Sequence, residues 1–378
     1  NMLRGMCSRL DVSYPYLQTM AVAARETLRS SVPQEEHAVD LIHPSASAIS
    51  TPLQLRLLEA LPQIHEEGHM VGLQICVLQH GKEIANIAAG SMGTANPRPV
   101  SPSTLFNVFS VSKGILTIGL LRLVQDGLIG SVDDPVAKYW PAFENKPTIT
   151  IRHVLTHQAG LANVYPEDAT LDTLLDWSTM LKFMAEEAVP SHEPGSETQY
   201  HALSYAWLVG GIIEAVTGKP YEQWLDKVLP YNSPRFPGEE ETRRHLFLSG
   251  ISKDVDDHKD LAVLSLDRRS LQNSEQNKGS TADVDLAPET KSPETVQKDK
   301  ENEDERAKKA RKVLAKYKGL QQLMNPSIFN MRKVREARLP SANGHASAAS
   351  LAEVFDAVIR SSRGNPILSP DILELART

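Results

Sequence analysis

Phe106-Asn107-Val108-Phe109-Ser110-Val111-Ser112-Lys113 decides how this chain is read. The run ahead of the serines is extended and partly β-branched. From Gly114 to Val124 the sequence is apolar nearly all round, with Ile115, Leu116, Ile118, Leu120, Leu121, Leu123 and Val124. A helix without a polar face is a buried helix. Asp126-Gly127 ends it, because glycine takes the left-handed conformation of a helix end at no steric cost. Ser110 and Lys113 stand at the start of that helix, three residues apart, so their side chains share one face about one turn apart. A serine hydroxyl is a weak nucleophile until a base takes its proton, and a neighbouring neutral lysine can be that base. The helix dipole favours an oxyanion there and holds down the lysine pKa. The same residues also read as an N-cap serine followed by a lysine whose stem lies along apolar surface. About one or two Ser-x-x-Lys matches arise by chance in a chain of this length. The motif alone leaves both readings open.

A second constellation lies downstream. Gln199-Tyr200-His201-Ala202-Leu203-Ser204-Tyr205 precedes another buried helix, Ala206 to Val216, closed by Thr217-Gly218-Lys219-Pro220. Tyr200 enters from the loop ahead of it. A tyrosine close to a lysine can share its proton and relay protons to and from a serine. The plainer reading is a half-buried aromatic packing on the helix.

Further segments follow the same order. They are Gly127-Leu128-Ile129 with Val132-Asp133-Asp134-Pro135-Val136, Ile149-Thr150-Ile151-Arg152-His153-Val154-Leu155-Thr156-His157-Gln158-Ala159-Gly160-Leu161, Pro194-Gly195, and Gly210-Gly211-Ile212-Ile213-Glu214-Ala215-Val216-Thr217-Gly218-Lys219-Pro220-Tyr221. With the serine and tyrosine segments, residues from about 53 to 230 resemble the serine β-lactamase and penicillin-binding-protein superfamily. The resemblance is to its class C-like branch, with the family VIII esterases and mitochondrial β-lactamase-like proteins. It implies an α/β (α+β) fold, an antiparallel sheet flanked by helices with an all-α lobe, and a site between lobe and sheet. It implies that Ser110 is the acylated nucleophile, Lys113 its proton acceptor and Tyr200 the partner base. Small-molecule esters, amides or lactams are the implied substrates, and neither a metal nor an organic cofactor is needed.

Two departures matter. The family often reads Tyr-x-Asn, and here the third position is Ala202, which cannot hydrogen-bond through its side chain; this leans toward esters. The family's third motif, Lys or His, then a small residue, then Gly, has no convincing counterpart. His345 follows Gly344 in Pro340-Ser341-Ala342-Asn343-Gly344-His345-Ala346-Ser347, which reads as a loop opening a helix from Leu351 to Ile359. In the family the last strands and the third motif follow such a helix, so with Thr378 the chain is expected to stop short of them.

Composition narrows the rest. The chain has 378 residues, 41% hydrophobic and 23% charged, enough for one sizeable core with added segments. A net charge of -7 argues against nucleic acid as a partner. Cys7 and Cys76 make no disulfide framework or metal pattern. His153 and His157 have metal-like spacing without the rest of a zinc signature. No apolar run is long enough to span a bilayer. No targeting signal is visible, and a start upstream would leave the compartment open.

Residues 1–45 read as a helical extension, Tyr16 to Ser30 included, and weakly resemble the tail of an ABC1-type atypical kinase of the kind fused to β-lactamase-like domains. Residues 46–52 read as a linker and 53–378 as the hydrolase domain. Leu53, Leu57, Leu58, Leu61 and Ile64 predict a first helix over 53–67. Val71 to Leu78 and Glu83 to Ala89 predict a hairpin turning at Gly81. About 252–318 reads as a charged, solvated insertion suited to a protein partner, with Leu261 to Leu266 its main apolar stretch. The leading function is a serine hydrolase. The alternative is a catalytically silent interaction or regulatory module attached to a kinase-like protein.

Overall fold

The computed structural model describes residues 51–66, 71–93, 96–229, 246–248, 250–251, 255, 259–264, 322–323, 325–359 and 366–377. The extension 1–45 and most of the expected linker and insertion lie outside the described residues.

Helix α1, Pro52–Glu66, packs Leu57, Leu58, Leu61 and Ile64 against Leu73, Ile75, Ile87 and Ala89 of a hairpin formed by β1, Gly72–Gln79, and β2, Lys82–Gly90. Leu53 departs from the expected apolar stripe and is 38% exposed. Gln54 turns inward instead, and its Oε1 accepts the N–H of Asn86. The hairpin closes through His80-Gly81, both at positive φ (52° and 74°), with Gln79 paired to Lys82. Two positive φ values match the right-handed twist of the strands. Gln74 faces the side opposite Leu73 and Ile75, since side chains alternate along a strand. It accepts the first N–H of a late helix at Ala348 (2.9 Å). The hairpin is thus covered on both faces.

A second small sheet joins distant segments. β3, Phe106–Asn107, and β4, Leu246–Phe247, flank β5, His345–Ala346, both antiparallel to it. The stretch around His345 is therefore a central strand rather than the expected loop. Its backbone groups find partners in segments that the sequence places far away. The helix behind it starts at Ala348 instead of Leu351.

The lobe is built around α2, Val111–Gln125, whose residues from Ser112 to Leu121 are buried together with Leu123. Its end is the expected glycine stop. Gly127 sits at φ 73°, its N–H reaches Val124 O and that of Leu128 reaches Leu123 O, a Schellman pair that satisfies the last carbonyls. Short helices α3 (Ile151–Leu155), α4 (Leu171–Leu175) and α5 (Trp177–Lys182) lead to α6 (Ser204–Thr217) and α7 (Tyr221–Val228), and α6 and α7 pack on α2. A later helix, α8 (Arg332–Arg335), precedes Arg338, whose guanidinium bridges Glu214 and Glu222 and stacks between Trp177 and Tyr221. That clamp ties the segment leading to β5 onto the lobe. Helix α9, Ala348–Ile359, lies on β1, and α10, Pro370–Leu375, on α2.

Residues 259–264 narrow the expected insertion. Leu261 is buried with Leu105, Phe247 and Ile251, and Ala262 and Val263 donate to Leu105 O and Met92 O. An apolar residue with a buried site to fill docks its neighbours. Among the described residues no helix is long and apolar enough to cross a membrane.

Candidate active site

The site begins where β3 turns into α2. Asn107 Oδ1 accepts the N–H of Phe109 (2.8 Å), and Phe109 adopts φ 41°. A non-glycine residue there is strained by roughly 1–3 kcal/mol and persists only where its surroundings hold it. The Phe109 ring is held edge-on by Phe329 at 5.2 Å. This turn leaves Ser110 exposed, with αR backbone and no capping hydrogen bond from its side chain. The N-cap alternative does not describe what its hydroxyl does. Ser110 Oγ lies 3.1 Å from Lys113 Nζ and 2.7 Å from Tyr200 Oη. The three residues singled out in the sequence meet.

Lys113 is 1% exposed and has no ion-pair partner among the described residues. Its Nζ donates to Ala202 O (2.8 Å) and Ser341 O (3.0 Å) as well as lying against Ser110 Oγ. Burial without a counter-charge lowers its pKa from 10.5 to about 7. A neutral amine has two N–H donors and one lone pair. With both donors on the two carbonyls, the lone pair is left for the Ser110 hydroxyl proton. Tyr200 then donates to the same Oγ, and every group is satisfied. Tyr200 is 46% exposed, and its ring centroid is 4.9 Å from Lys113 Nζ.

Ser112 takes no part in this arrangement. It is fully buried, its Oγ has no hydrogen-bond partner among the described residues, and it faces Gly344. A Cβ at Gly344 would stand 2.0 Å from that oxygen, so only glycine lets the strand entering β5 approach α2 so closely. An unpaired buried hydroxyl costs about 1–3 kcal/mol. Ser112→Ala is therefore expected to keep ester turnover and to melt at the same or a higher temperature. A thermal melt and an activity assay on one preparation check both.

Sequence reasoning missed the groups that hold the lysine. The sequence draws attention to the Ala202 side chain, which is exposed, yet its carbonyl is what contacts Lys113. In the stretch from Pro340 to Ser347 the residue that the sequence singles out is His345. His345 is buried, with Nδ1 2.8 Å from Asn343 O, and it is Ser341 that reaches the site. The spacing of His153 and His157 does not become a ligand pair. Helix α3 ends at Leu155, and His157 sits at φ 62°, off the helix face of His153. His201 points inward, with Nδ1 2.7 Å from Gln199 O, and burial lowers its pKa to about 4, so it is neutral.

The family described as Beta-lactamase matches residues 56–378. The chain belongs to the beta-lactamase family. Over 150 residues it is 39% identical to Esterase/beta-lactamase LipL of Mycobacterium tuberculosis, covering 39% of this chain and 34% of that protein. Over 208 residues it is 30% identical to Esterase EstB of Burkholderia gladioli, covering 50% of this chain and 52% of that protein. The chain thus spans about a third to a half of the length of these curated relatives. Among solved structures it is similar to a family VIII carboxylesterase, with a TM-score of 0.61, 22% identity and coverage of 87% of this chain and 76% of that one. It is also similar to EstA from Arthrobacter nitroguajacolicus Rue61a, with a TM-score of 0.61, 21% identity and coverage of 88% and 76%. These matches establish the β-lactamase/transpeptidase-like α/β fold, with helices and small antiparallel sheets.

Proposed function

We propose that this beta-lactamase family member is a serine hydrolase that works through an acyl-enzyme and favours esters over lactams. The observation that carries the reading is the shared Ser110 Oγ, bounded by a buried lysine amine without counter-charge and by the Tyr200 hydroxyl. Lys113 accepts the Ser110 proton as Oγ attacks the substrate carbonyl. The Ser110 N–H, at the N-terminus of α2, faces the developing oxyanion, where fixed donors act most strongly. Lys113 returns the proton through Tyr200 to the departing alkoxide. Water then attacks the acyl-serine and regenerates the hydroxyl, its proton passing back along the same pair.

Preference for esters rests on position 202. Alanine there offers no side-chain amide to grip a lactam or peptide amide, and losing such a polar contact discriminates strongly between substrates. Esterase EstB carries that activity alone in its name, whereas Esterase/beta-lactamase LipL carries both. The test compares a p-nitrophenyl butyrate assay with hydrolysis of a chromogenic cephalosporin. Ester kcat/KM is expected to exceed lactam kcat/KM by about tenfold or more, the scale of one net hydrogen bond of about 1–1.5 kcal/mol. Equal or better lactam turnover overturns the preference. Absence of turnover together with absence of a serine adduct overturns the hydrolase reading itself.

A further inference from the structure

Tyr200 reaches the site from the loop ahead of α6. Its ring is nearly half exposed, yet its Oη lies 2.7 Å from Ser110 Oγ. An exposed tyrosine on a loop has rotamer freedom to lose before it can act as a relay. Something on the inner side has to hold it.

We propose that His157 is the positioning residue for Tyr200, gripping the backbone on both sides of it and supporting its ring from beneath. The inference rests on the role given to Tyr200 above. The His157 carbonyl accepts the N–H of Gln199 (2.9 Å), and His157 Nδ1 accepts the N–H of His201 (3.1 Å). One residue thus fixes the positions immediately before and after Tyr200. The imidazole lies against the Tyr200 ring at 4.9 Å between centroids, and against Tyr205 at 5.0 Å and His201 at 5.4 Å. Tyr205 is itself pinned by its hydroxyl, 2.6 Å from Thr117 Oγ1 on α2, the helix that carries Lys113. The support therefore runs from the lysine helix through Tyr205 and His157 to the relay tyrosine.

The backbone of His157 points the same way. At φ 62° it occupies a conformation that asparagine or glycine adopts more readily, so the histidine side chain brings something that offsets the strain. That contribution is the Nδ1 acceptor. To accept, the ring must be neutral with its proton on Nε2. Burial pushes its pKa well below the ordinary histidine value and keeps it so.

The test uses the full chain with His157→Ala, His157→Asn, Tyr200→Phe and the double variant His157→Ala/Tyr200→Phe. Kinetics on p-nitrophenyl butyrate are paired with amide hydrogen exchange over residues 199–203. Displacing a catalytic group by about 1 Å costs on the order of a hundredfold, so His157→Ala is expected to lower kcat by about that factor while KM stays within about threefold. Exchange at the His201 amide should accelerate. Asparagine tolerates positive φ and offers Oδ1 to the same N–H, so His157→Asn should recover kcat to within about tenfold of wild type. In the Tyr200→Phe background, His157→Ala should cost less than about threefold more, since residues acting as one unit are not additive. If His157→Ala does not fold, His157→Gly relieves the backbone without supplying an acceptor and takes its place. Independent, multiplying losses in the double variant, or unchanged exchange at His201, overturn the proposal. Accelerated exchange alongside a fully active Tyr200→Phe upholds the grip and removes instead the relay role of Tyr200.

Discussion

Ser110→Ala is expected to lower ester turnover by about four orders of magnitude or more, the usual cost of deleting the nucleophile of a covalent mechanism. It should also abolish the mass increment left by a fluorophosphonate. The fold should be indifferent to the change. Ser110 is exposed and its side chain caps nothing, so stability should stay within about 0.5 kcal/mol of wild type. Lys113 keeps both carbonyl partners in the variant. Intact mass spectrometry after labelling, beside a denaturant titration, reads both halves. The two serines of the motif separate cleanly: labelling that survives Ser110→Ala and vanishes in Ser112→Ala would overturn the assignment.

Lys113 offers the second large effect, and it is read in pH. Burial moves its pKa from 10.5 to about 7. The unfolded chain keeps this proton until about pH 10.5, whereas the folded protein releases it near 7. Between those values the unfolded state binds more protons, so stability rises with pH, by up to about 1.4 kcal/mol per unit for one group. Activity rises in the same direction, because only the neutral amine accepts the serine proton. The acidic limb of kcat/KM is expected to have its midpoint near 7. Lys113→Met should lower turnover by about two to four orders of magnitude. It should also lose the pH-dependent gain, so that wild type gains about 2–3 kcal/mol on the variant between pH 7 and 9. The cost of leaving two carbonyls without a donor is the same at every pH and drops out of that difference. Lys113→Arg remains charged throughout and should recover activity at no pH. Parallel stability curves over that window, or a limb centred near 10, would contradict the reading.

What the sequence revealed and what it concealed follow one division. Helix α2, the hairpin and the Gly127 stop were legible because each is written in neighbouring residues: an unbroken apolar run, strand alternation, a glycine where φ must turn positive. Ser110 and Lys113 were legible for the same reason, one helical turn apart. Tyr200, 90 residues on, came through the ordered resemblance rather than through any local pattern. β5 was read as a loop because two residues have no period, and its pairing with β3 and β4 is entirely long-range. Ala202 and Ser341 act through carbonyls, which every residue carries and no composition reveals. His157 looked like half of a metal motif because its spacing is helical, and only its left-handed backbone shows that the helix has already ended.

The amine of Lys113 is oriented by a carbonyl 228 residues further along the chain, on the approach to the strand that also unites β3 with β4. During synthesis, serine, lysine and tyrosine have all emerged by residue 200, and the helices around them by Val228. The second carbonyl has not. Contacts of such sequence separation form slowly, because a long stretch of chain must be ordered first. In the proposed mechanism, catalytic competence therefore waits on the segment around Ser341: the lysine amine has both of its carbonyl partners only once the approach to β5 has joined the lobe.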